Sequence, residues 1–224
     1  MIPWIKIDTA RVPGGGGELR LMRRGTEFSI MLGTNQLMNN RLSGSEVALA
    51  TLAAKKIETV KAPHVLIGGL GMGFTLRAAL TVLGPAAHIT VAELVPAVVA
   101  WARGPMAEIF GGCLDDPRAS IVETDVLEVI RSHSQAFDAI LLDVDNGPEG
   151  LTRQSNDALY DAAGLKAAYM ALRPCGVLAV WSTGPNWVFT KRLKQAGFEV
   201  NEVGVHASAK GRGARHVIWF ATKP

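Results

Sequence analysis

Several short segments of this sequence carry groups that can bind a ligand or take part in a reaction. The first is the glycine-rich run Gly68-Gly69-Leu70-Gly71-Met72-Gly73, where the backbone can approach a ligand without a Cβ in the way. Its third glycine comes one residue too early for a dinucleotide fingerprint, and the Gly-Lys-Ser/Thr of a phosphate loop is missing. The spacing favours a nucleoside that carries an amino-acid tail over a pyrophosphate.

Acidic residues form the other candidate groups. Glu93, followed by Leu94, lies 24 residues after Gly69 and can accept hydrogen bonds from both hydroxyls of a ribose. In Thr124-Asp125-Val126, Asp125 either meets an adenine amino group or caps the helix that follows. Asp143-Val144-Asp145-Asn146 places two carboxylates and an amide where a group would be transferred, unless the segment is only an Asx-turn.

Each of these segments follows a short apolar run that reads as a buried strand. Predicted helices separate most of these runs, which indicates a mostly parallel sheet covered on both faces. Ligands bind such sheets beyond the carboxyl ends of the strands. The predicted fold is therefore a doubly wound α/β fold with a seven-stranded Rossmann-like sheet, whose strands are His64–Ile67, His88–Ala92, Ser120–Glu123, Phe137–Leu142, Val177–Trp181, Phe198–Val205 and His216–Thr222. The last two have no helix between them and are expected to form a closing antiparallel hairpin.

The N-terminal part differs from this pattern. Residues 11–17 are predicted to be a flexible entry, and Glu18–Met22 with Glu27–Leu32 to form a β-hairpin, with a possible third strand near Asn35–Met38. Ser43-Gly44-Ser45-Glu46 has the form of a capping box at the start of a helix. We therefore expect a small β-appendage over residues 1–42 and a catalytic domain over residues 43–224.

Composition narrows the class of protein. The chain has 224 residues, 48% of them hydrophobic, and a net charge of +3, which suits one globular domain. The cations behind its pI of about 9.0 are spread along the chain, so we expect no nucleic-acid partner. No apolar run approaches the roughly 20 residues of a membrane span. With Cys113 and Cys175 predicted as reduced thiols and no signal-peptide layout, we expect a cytoplasmic protein.

Taken together, these residues resemble the spermidine synthase family, within the class I S-adenosylmethionine-dependent methyltransferase superfamily. The resemblance covers nearly the whole chain and rests on Val65–Gly69, Thr75–Arg77, Asp116–Arg118, Val122–Asp125, Phe137–Asp143, Leu159-Tyr160 and Leu172–Leu178. It implies that Glu93 binds the ribose, that Asp125 contacts the adenine and that Asp143 orients an attacking amine. Gln36 and Glu46 also match, and are expected at the donor and the acceptor. Many members of this family dimerise, so we expect a homodimer.

Two departures from the family bear on the reaction. The family's glycine loop carries an aspartate that holds the amine of an aminopropyl donor, whereas Leu70-Gly71-Met72-Gly73 has no acid. The family's Tyr-His-Glu element is reduced to Gly44-Ser45-Glu46. With fewer anionic partners for a polycation, we expect methyl transfer from S-adenosylmethionine to a small acceptor bearing an amine or a hydroxyl. Asp143 would act on the acceptor with help from Asp145 or Asn146, and Trp187 would form a wall of the acceptor pocket.

Three alternatives stay open at this point. The chain could be an aminopropyltransferase that uses decarboxylated S-adenosylmethionine. It could be an O-methyltransferase in which Asp143, Asp145 and Asn146 hold Mg²⁺, although our main prediction includes no metal. It could also be a non-catalytic module that binds a nucleoside or dimerises.

Overall fold

The computed structural model describes residues 2–144, 148, 158–208 and 213–224. In this part of the chain the strands are β1 (Ile5–Arg11), β2 (Glu18–Arg24), β3 (Glu27–Leu32), β4 (Asn35–Asn39), β5 (His64–Gly68), β6 (His88–Ala92), β7 (Ala119–Val122), β8 (Phe137–Leu142), β9 (Leu172–Ser182), β10 (Glu199–His206) and β11 (Arg215–Thr222). The helices are α1 (Gly44–Lys56), α2 (Phe74–Val82), α3 (Pro96–Arg103), α4 (Ala107–Phe110), α5 (Val126–Arg131), α6 (Ala162–Ala171) and α7 (Trp187–Gln195).

The large sheet has seven strands in the order β10-β11-β9-β8-β5-β6-β7. The strands from β9 to β7 pair in parallel, while β11 runs antiparallel to both β9 and β10. This confirms the predicted doubly wound sheet with its closing antiparallel hairpin. Chain order reverses between β5 and β8, so the carboxyl ends of these two strands flank the crevice where such sheets bind ligands.

Apolar side chains cover both faces of this sheet. One face packs on α1, α2 and α3 through residues such as Leu49, Leu76 and Val98. The opposite face packs on α5, α6 and α7, with Leu165 and Phe189 fully buried. Burial on both faces explains why the central strands are apolar throughout instead of alternating.

The N-terminal strands form a separate antiparallel sheet in the order β1-β2-β3-β4. The hairpin of β2 and β3 and the third strand, β4, agree with prediction, but β1 was not predicted. The flexibility predicted for residues 11–17 stays a prediction. This segment joins β1 to β2, and the Val12 N–H donates to the Gly17 carbonyl over 2.9 Å. The division into residues 1–42 and 43–224 stays a prediction.

Helix α1 does not begin with the predicted capping box. The side chain of Ser43, its N-cap residue, makes no capping hydrogen bond. The Glu46 carboxylate instead accepts a hydrogen bond from the Ser45 hydroxyl, with 2.7 Å between the oxygens. Glu46 also lines a cavity in the crevice beside the helix.

Of the helices in the described residues, none combines the length and the apolar character that a membrane crossing requires.

Candidate active site

The glycine-rich turn follows β5 and is held tightly by its surroundings. Gly69 has φ +89°, and a Cβ there would lie 2.8 Å from the carbonyl oxygen of Asp143. Gly73 has φ +72°, and a Cβ there would lie 2.5 Å from the ring of Phe110. The turn therefore needs glycine at both positions because of backbone conformation and because of close approach.

Glu93 lies at the end of β6 and is 8% exposed. Its Oε2 accepts a hydrogen bond from the Leu70 N–H and its Oε1 accepts one from the Val95 N–H, both over 2.9 Å. One carboxylate thus ties the glycine-rich turn to the segment after β6. Each carboxylate oxygen can accept more than one hydrogen bond, so these contacts orient the group and leave it able to bind a ligand.

A first cavity opens over the carboxyl ends of these strands, which is where sheets of this kind bind ligands. It brings together most of the residues predicted to bind a donor, namely Gly69, Gly71, Glu93, Leu94, Asp125, Val126 and Asp143. The N-terminal sheet closes its other side with Leu19, Ile30, Leu32, Leu37 and Met38. A nucleoside placed here would meet backbone, carboxylates and apolar side chains, so the residues fit such a ligand.

Four predicted donor residues lie just outside this lining. Gly68 is buried at the end of β5 and Leu70 is 5% exposed in the core. Gly73 is the N-cap residue of α2. The Thr124 hydroxyl donates to Glu128 over 3.2 Å. These residues shape the turns around the cavity instead of facing it.

Asp125 combines both of the roles considered for it. Its Oδ1 accepts a hydrogen bond from the Leu127 N–H over 2.9 Å, so it caps α5. The same residue lines the first cavity. The cap is confirmed, and the contact with an adenine stays a prediction.

Asp143 follows β8 and lines both the first cavity and a second one beside it. Its Oδ2 accepts a hydrogen bond from the Thr75 hydroxyl over 2.7 Å. Glu46 also lines the second cavity. Burial and the neighbouring Glu46 carboxylate raise the pKa of Asp143 to about 7, against the Thr75 hydrogen bond, which lowers it. We call Glu46 and Asp143 the acid pair.

Burial also raises the pKa of Glu46, against the hydrogen bond from Ser45. Two carboxylates in one partly buried place disfavour each other's ionisation. A cation bound beside them would relieve that repulsion. The acid pair therefore suits an ammonium group.

Besides the acid pair, Asn39 and Gly71, apolar and aromatic side chains line the second cavity. They are Leu37, Met38, Leu70, Met72, Phe74 and Trp181. Trp181 is 8% exposed and was predicted to be a core residue. Its part in this lining was missed because it depends on the position of α1 and β4, which β9 itself does not reveal.

Two predicted site residues lie elsewhere. Gln36 donates to the Ser29 hydroxyl over 2.7 Å and lines a depression with Trp4 and Arg41, away from both cavities. Trp187 is 77% exposed at the start of α7 and lines neither cavity. The structure therefore does not bring Gln36 to the donor site or Trp187 to the acceptor site. Asp145 and Asn146 lie outside the described residues, and so does most of the site of the Mg²⁺ alternative.

Comparison with known proteins gives a family and relatives. The model of the spermine/spermidine synthase domain matches residues 47–204. Polyamine aminopropyltransferase 1 of Streptomyces coelicolor is 32% identical over 160 residues, which cover 66% of this chain and 29% of that protein. Polyamine aminopropyltransferase of Mycobacterium tuberculosis is 28% identical over 159 residues, which cover 67% and 29%. The chain thus spans under a third of the length of these relatives.

Solved structures share the fold over almost the whole chain. Spermidine synthase from Thermotoga maritima has a TM-score of 0.77 at 20% identity, covering 98% of this chain and 73% of that one. A spermidine synthase in complex with the transition state analogue AdoDATO has a TM-score of 0.76 at 20% identity, covering 98% and 72%. The family model and the relatives from Streptomyces coelicolor and Mycobacterium tuberculosis favour the aminopropyltransferase alternative over the methyltransferase interpretation with which the sequence analysis led.

Proposed function

The chain belongs to the spermine/spermidine synthase family, and from this premise we propose that it transfers an aminopropyl group from decarboxylated S-adenosylmethionine to an amine acceptor. The named relatives, all described as polyamine aminopropyltransferases, support a polyamine as the acceptor class. Because these relatives are much longer than this chain, the activity of the whole protein is also part of this proposal.

One observation carries the proposal. Asp143 lines both cavities, and the second cavity adds Glu46 beside it. A cationic amine held by the acid pair would lie next to the reactive carbon of a donor in the first cavity. A reaction between two bound molecules gains most from such fixed proximity.

The donor would supply a carbon attached to a sulfonium, which leaves as a neutral thioether. Glu93 would accept hydrogen bonds from the ribose, and Asp125 would meet the adenine. Gly69 and Gly71 also line this cavity and have no side chain, so the donor would contact their backbone directly. The walls of the first cavity would exclude water from the sulfonium.

The acid pair would orient the acceptor and accept its proton. An amine with an ordinary pKa of about 10.4 enters as an ammonium, and must lose a proton before its nitrogen can attack. With its pKa raised to about 7, Asp143 is a better proton acceptor than an ordinary aspartate. It also keeps hydrogen-bonding capacity to direct the nitrogen.

The missing acid of the glycine loop has a counterpart in this arrangement. Leu70 and Met72 line the second cavity together with the acid pair. The departure that favoured methyl transfer does not remove the negative charge from the site.

The by-product of the reaction tests the proposal directly. The protein is incubated with decarboxylated S-adenosylmethionine or with S-adenosylmethionine, together with putrescine or spermidine, and the products are identified by mass spectrometry. We expect methylthioadenosine and an aminopropylated amine from the decarboxylated donor alone. S-adenosylhomocysteine from the carboxylated donor would identify a methyltransferase instead.

A separate binding measurement tests the nucleoside site through Glu93→Gln. Losing the charged hydrogen bonds to the ribose should weaken donor binding by about 1–3 kcal/mol, measured by calorimetry. Glu123→Gln is the matched control, because this exposed residue follows β7 and lines neither cavity. Equal donor affinity in both variants would remove Glu93 from the site.

A further inference from the structure

A chain of hydrogen bonds connects the acid pair to the strand β11. The Ser45 hydroxyl lies 2.7 Å from Oε2 of Glu46 and 2.9 Å from Nδ1 of His216. Ser45 is 1% exposed, whereas His216 is partly exposed. The chain therefore runs from a carboxylate in the second cavity, through a buried hydroxyl, to an imidazole nearer the surface.

We propose that His216 is a positioning residue that acts through Ser45 on Glu46 and carries the acceptor's proton away from the acid pair. The proposal rests on the proposed function, in which the acceptor enters as an ammonium. It adds a route by which the proton leaves the acid pair. Without such a route the carboxyl group would stay protonated and could not accept a proton from the next acceptor molecule.

The proton balance is simple. The acceptor ammonium gives one proton to the acid pair. Its nitrogen then forms a bond to carbon while the carbon–sulfur bond breaks, and the electron pair of that bond stays on sulfur. Protonated Glu46 donates to the Ser45 oxygen as the Ser45 hydroxyl donates to Nδ1 of neutral His216. The result is a Glu46 carboxylate and a His216 imidazolium, which loses its proton to water.

The surroundings of His216 suit this exchange. Burial lowers the pKa of His216, so the ring is mostly neutral near pH 7 and can accept a proton. Glu46 is the acidic residue of α1, the helix that packs on β11. From β9 the ring of Trp181 packs on His216, with 4.8 Å between centroids and 76° between planes.

Other charged residues lie near His216 in the sequence. Arg215 precedes it on β11 and pairs with His206 of β10, so strand alternation directs Arg215 to the other face of the sheet. Lys210 and Arg212, between these two strands, lie outside the described residues. Among the described residues, the hydrogen-bond partner of the imidazole is thus the Ser45 hydroxyl. Substituting Ser45 therefore breaks the link between His216 and Glu46 and leaves His216 itself in place.

The test compares His216→Asn, Ser45→Ala and the double variant in the full chain. We expect each single variant to lose about 10- to 100-fold in kcat, with the donor KM unchanged and no further loss in the double variant. Added imidazole should partly restore His216→Ala and leave Ser45→Ala unrestored. His88→Asn, at the amino end of β6, is the control for losing an exposed imidazole and should keep its rate. Multiplicative losses, or single variants with full kcat, would overturn the proposal.

Two readouts separate this proposal from the proposed function and from misfolding. Circular dichroism and the thermal midpoint identify variants that do not fold, and Ser45→Ala leaves His216 itself in place. If the wild type forms no methylthioadenosine, the proposed function fails, but the connection is still measurable. NMR titration should then show that Glu46→Gln shifts the His216 pKa, and an unchanged titration would overturn the connection.

Discussion

At the scale of single residues, the fold holds the two carboxyl groups of the acid pair together although this arrangement costs stability. Burial and mutual repulsion raise the pKa of both carboxyl groups. A raised pKa means that the folded state binds a proton more tightly than the unfolded state does. The folded protein without ligand therefore loses stability as the pH rises between the unfolded and the folded pKa.

Asp143→Asn should remove this cost. Between about pH 4, where an unfolded aspartate titrates, and pH 7, the wild type should lose stability relative to the variant. We expect the variant to gain about 1–3 kcal/mol relative to wild type across this range, while its kcat collapses. Urea unfolding at pH 5 and pH 8 measures the difference. Asp115→Asn serves as control, since Asp115 is exposed and lines neither cavity; a gain of the same size there would point to a general charge effect.

Some site residues could be predicted from the sequence because they follow predicted strands. Glu93, Asp125 and Asp143 all reach the first cavity for that reason. Other residues depend on contacts between distant segments. The side chains of Thr75 and Trp181 reach the site only when α2 and β9 are packed, and no local sequence pattern predicts this. Glu46 gave a misleading local signal, because its spacing from Ser43 imitates a capping box.

At the scale of elements, the glycine-rich turn determines where α2 starts and how close β8 can come. Gly73 has a left-handed backbone conformation and touches the Phe110 ring of α4. A side chain at this position would push the turn away from α4. Since the Leu70 N–H donates to Glu93, a shift of the turn would also release the Glu93 carboxylate.

Gly73→Ala should therefore destabilise the protein by about 1–3 kcal/mol and weaken donor binding as well. Gly84→Ala is the matched control, because no atom lies within 4 Å of a Cβ at Gly84 and its φ is not left-handed. Thermal unfolding and calorimetric titration of both variants provide the comparison. Equal stability of the two would mean that the turn adapts without strain.

The sheet was predictable because buried parallel strands are apolar throughout and are separated by helices. The prediction missed β1 and the first part of β9, each for an identifiable reason. Strand β1 has its isoleucines exposed, with Ile5 at 59%, so its apolar pattern marks no core. Strand β9 begins at Leu172, five residues before the predicted Val177, because Pro174 and Gly176 hide its first part. The predicted helix start at Asn156 lies outside the described residues.

At the scale of the whole molecule, the N-terminal sheet and the large sheet share one core. Leu21 and Ile30 are fully buried in the same apolar cluster as Leu49 of α1 and Val91 of β6. The N-terminal sheet also forms one wall of the first cavity. We therefore expect the two sheets to unfold together, although the two-part division stays a prediction, as does the homodimer.

Leu21→Ala should lower the stability of the whole chain by about 2–4 kcal/mol and keep a single calorimetric transition. Ile7→Ala removes an exposed side chain of β1, 41% accessible, and should change stability by less than about 0.5 kcal/mol. Two separate transitions in Leu21→Ala, with the later one at the wild-type temperature, would establish independent domains.

The position of β11 bears on how the molecule is made. Among the elements of the described residues this strand comes after β10, yet it lies between β9 and β10. While the ribosome is still synthesising it, β9 presents an open edge and β10 has no place beside it. Unpaired edges invite association with other nascent chains. A translating cell must shield the partly made sheet for the seconds before its last strand emerges, and slow translation just before Arg215 would prolong that exposure.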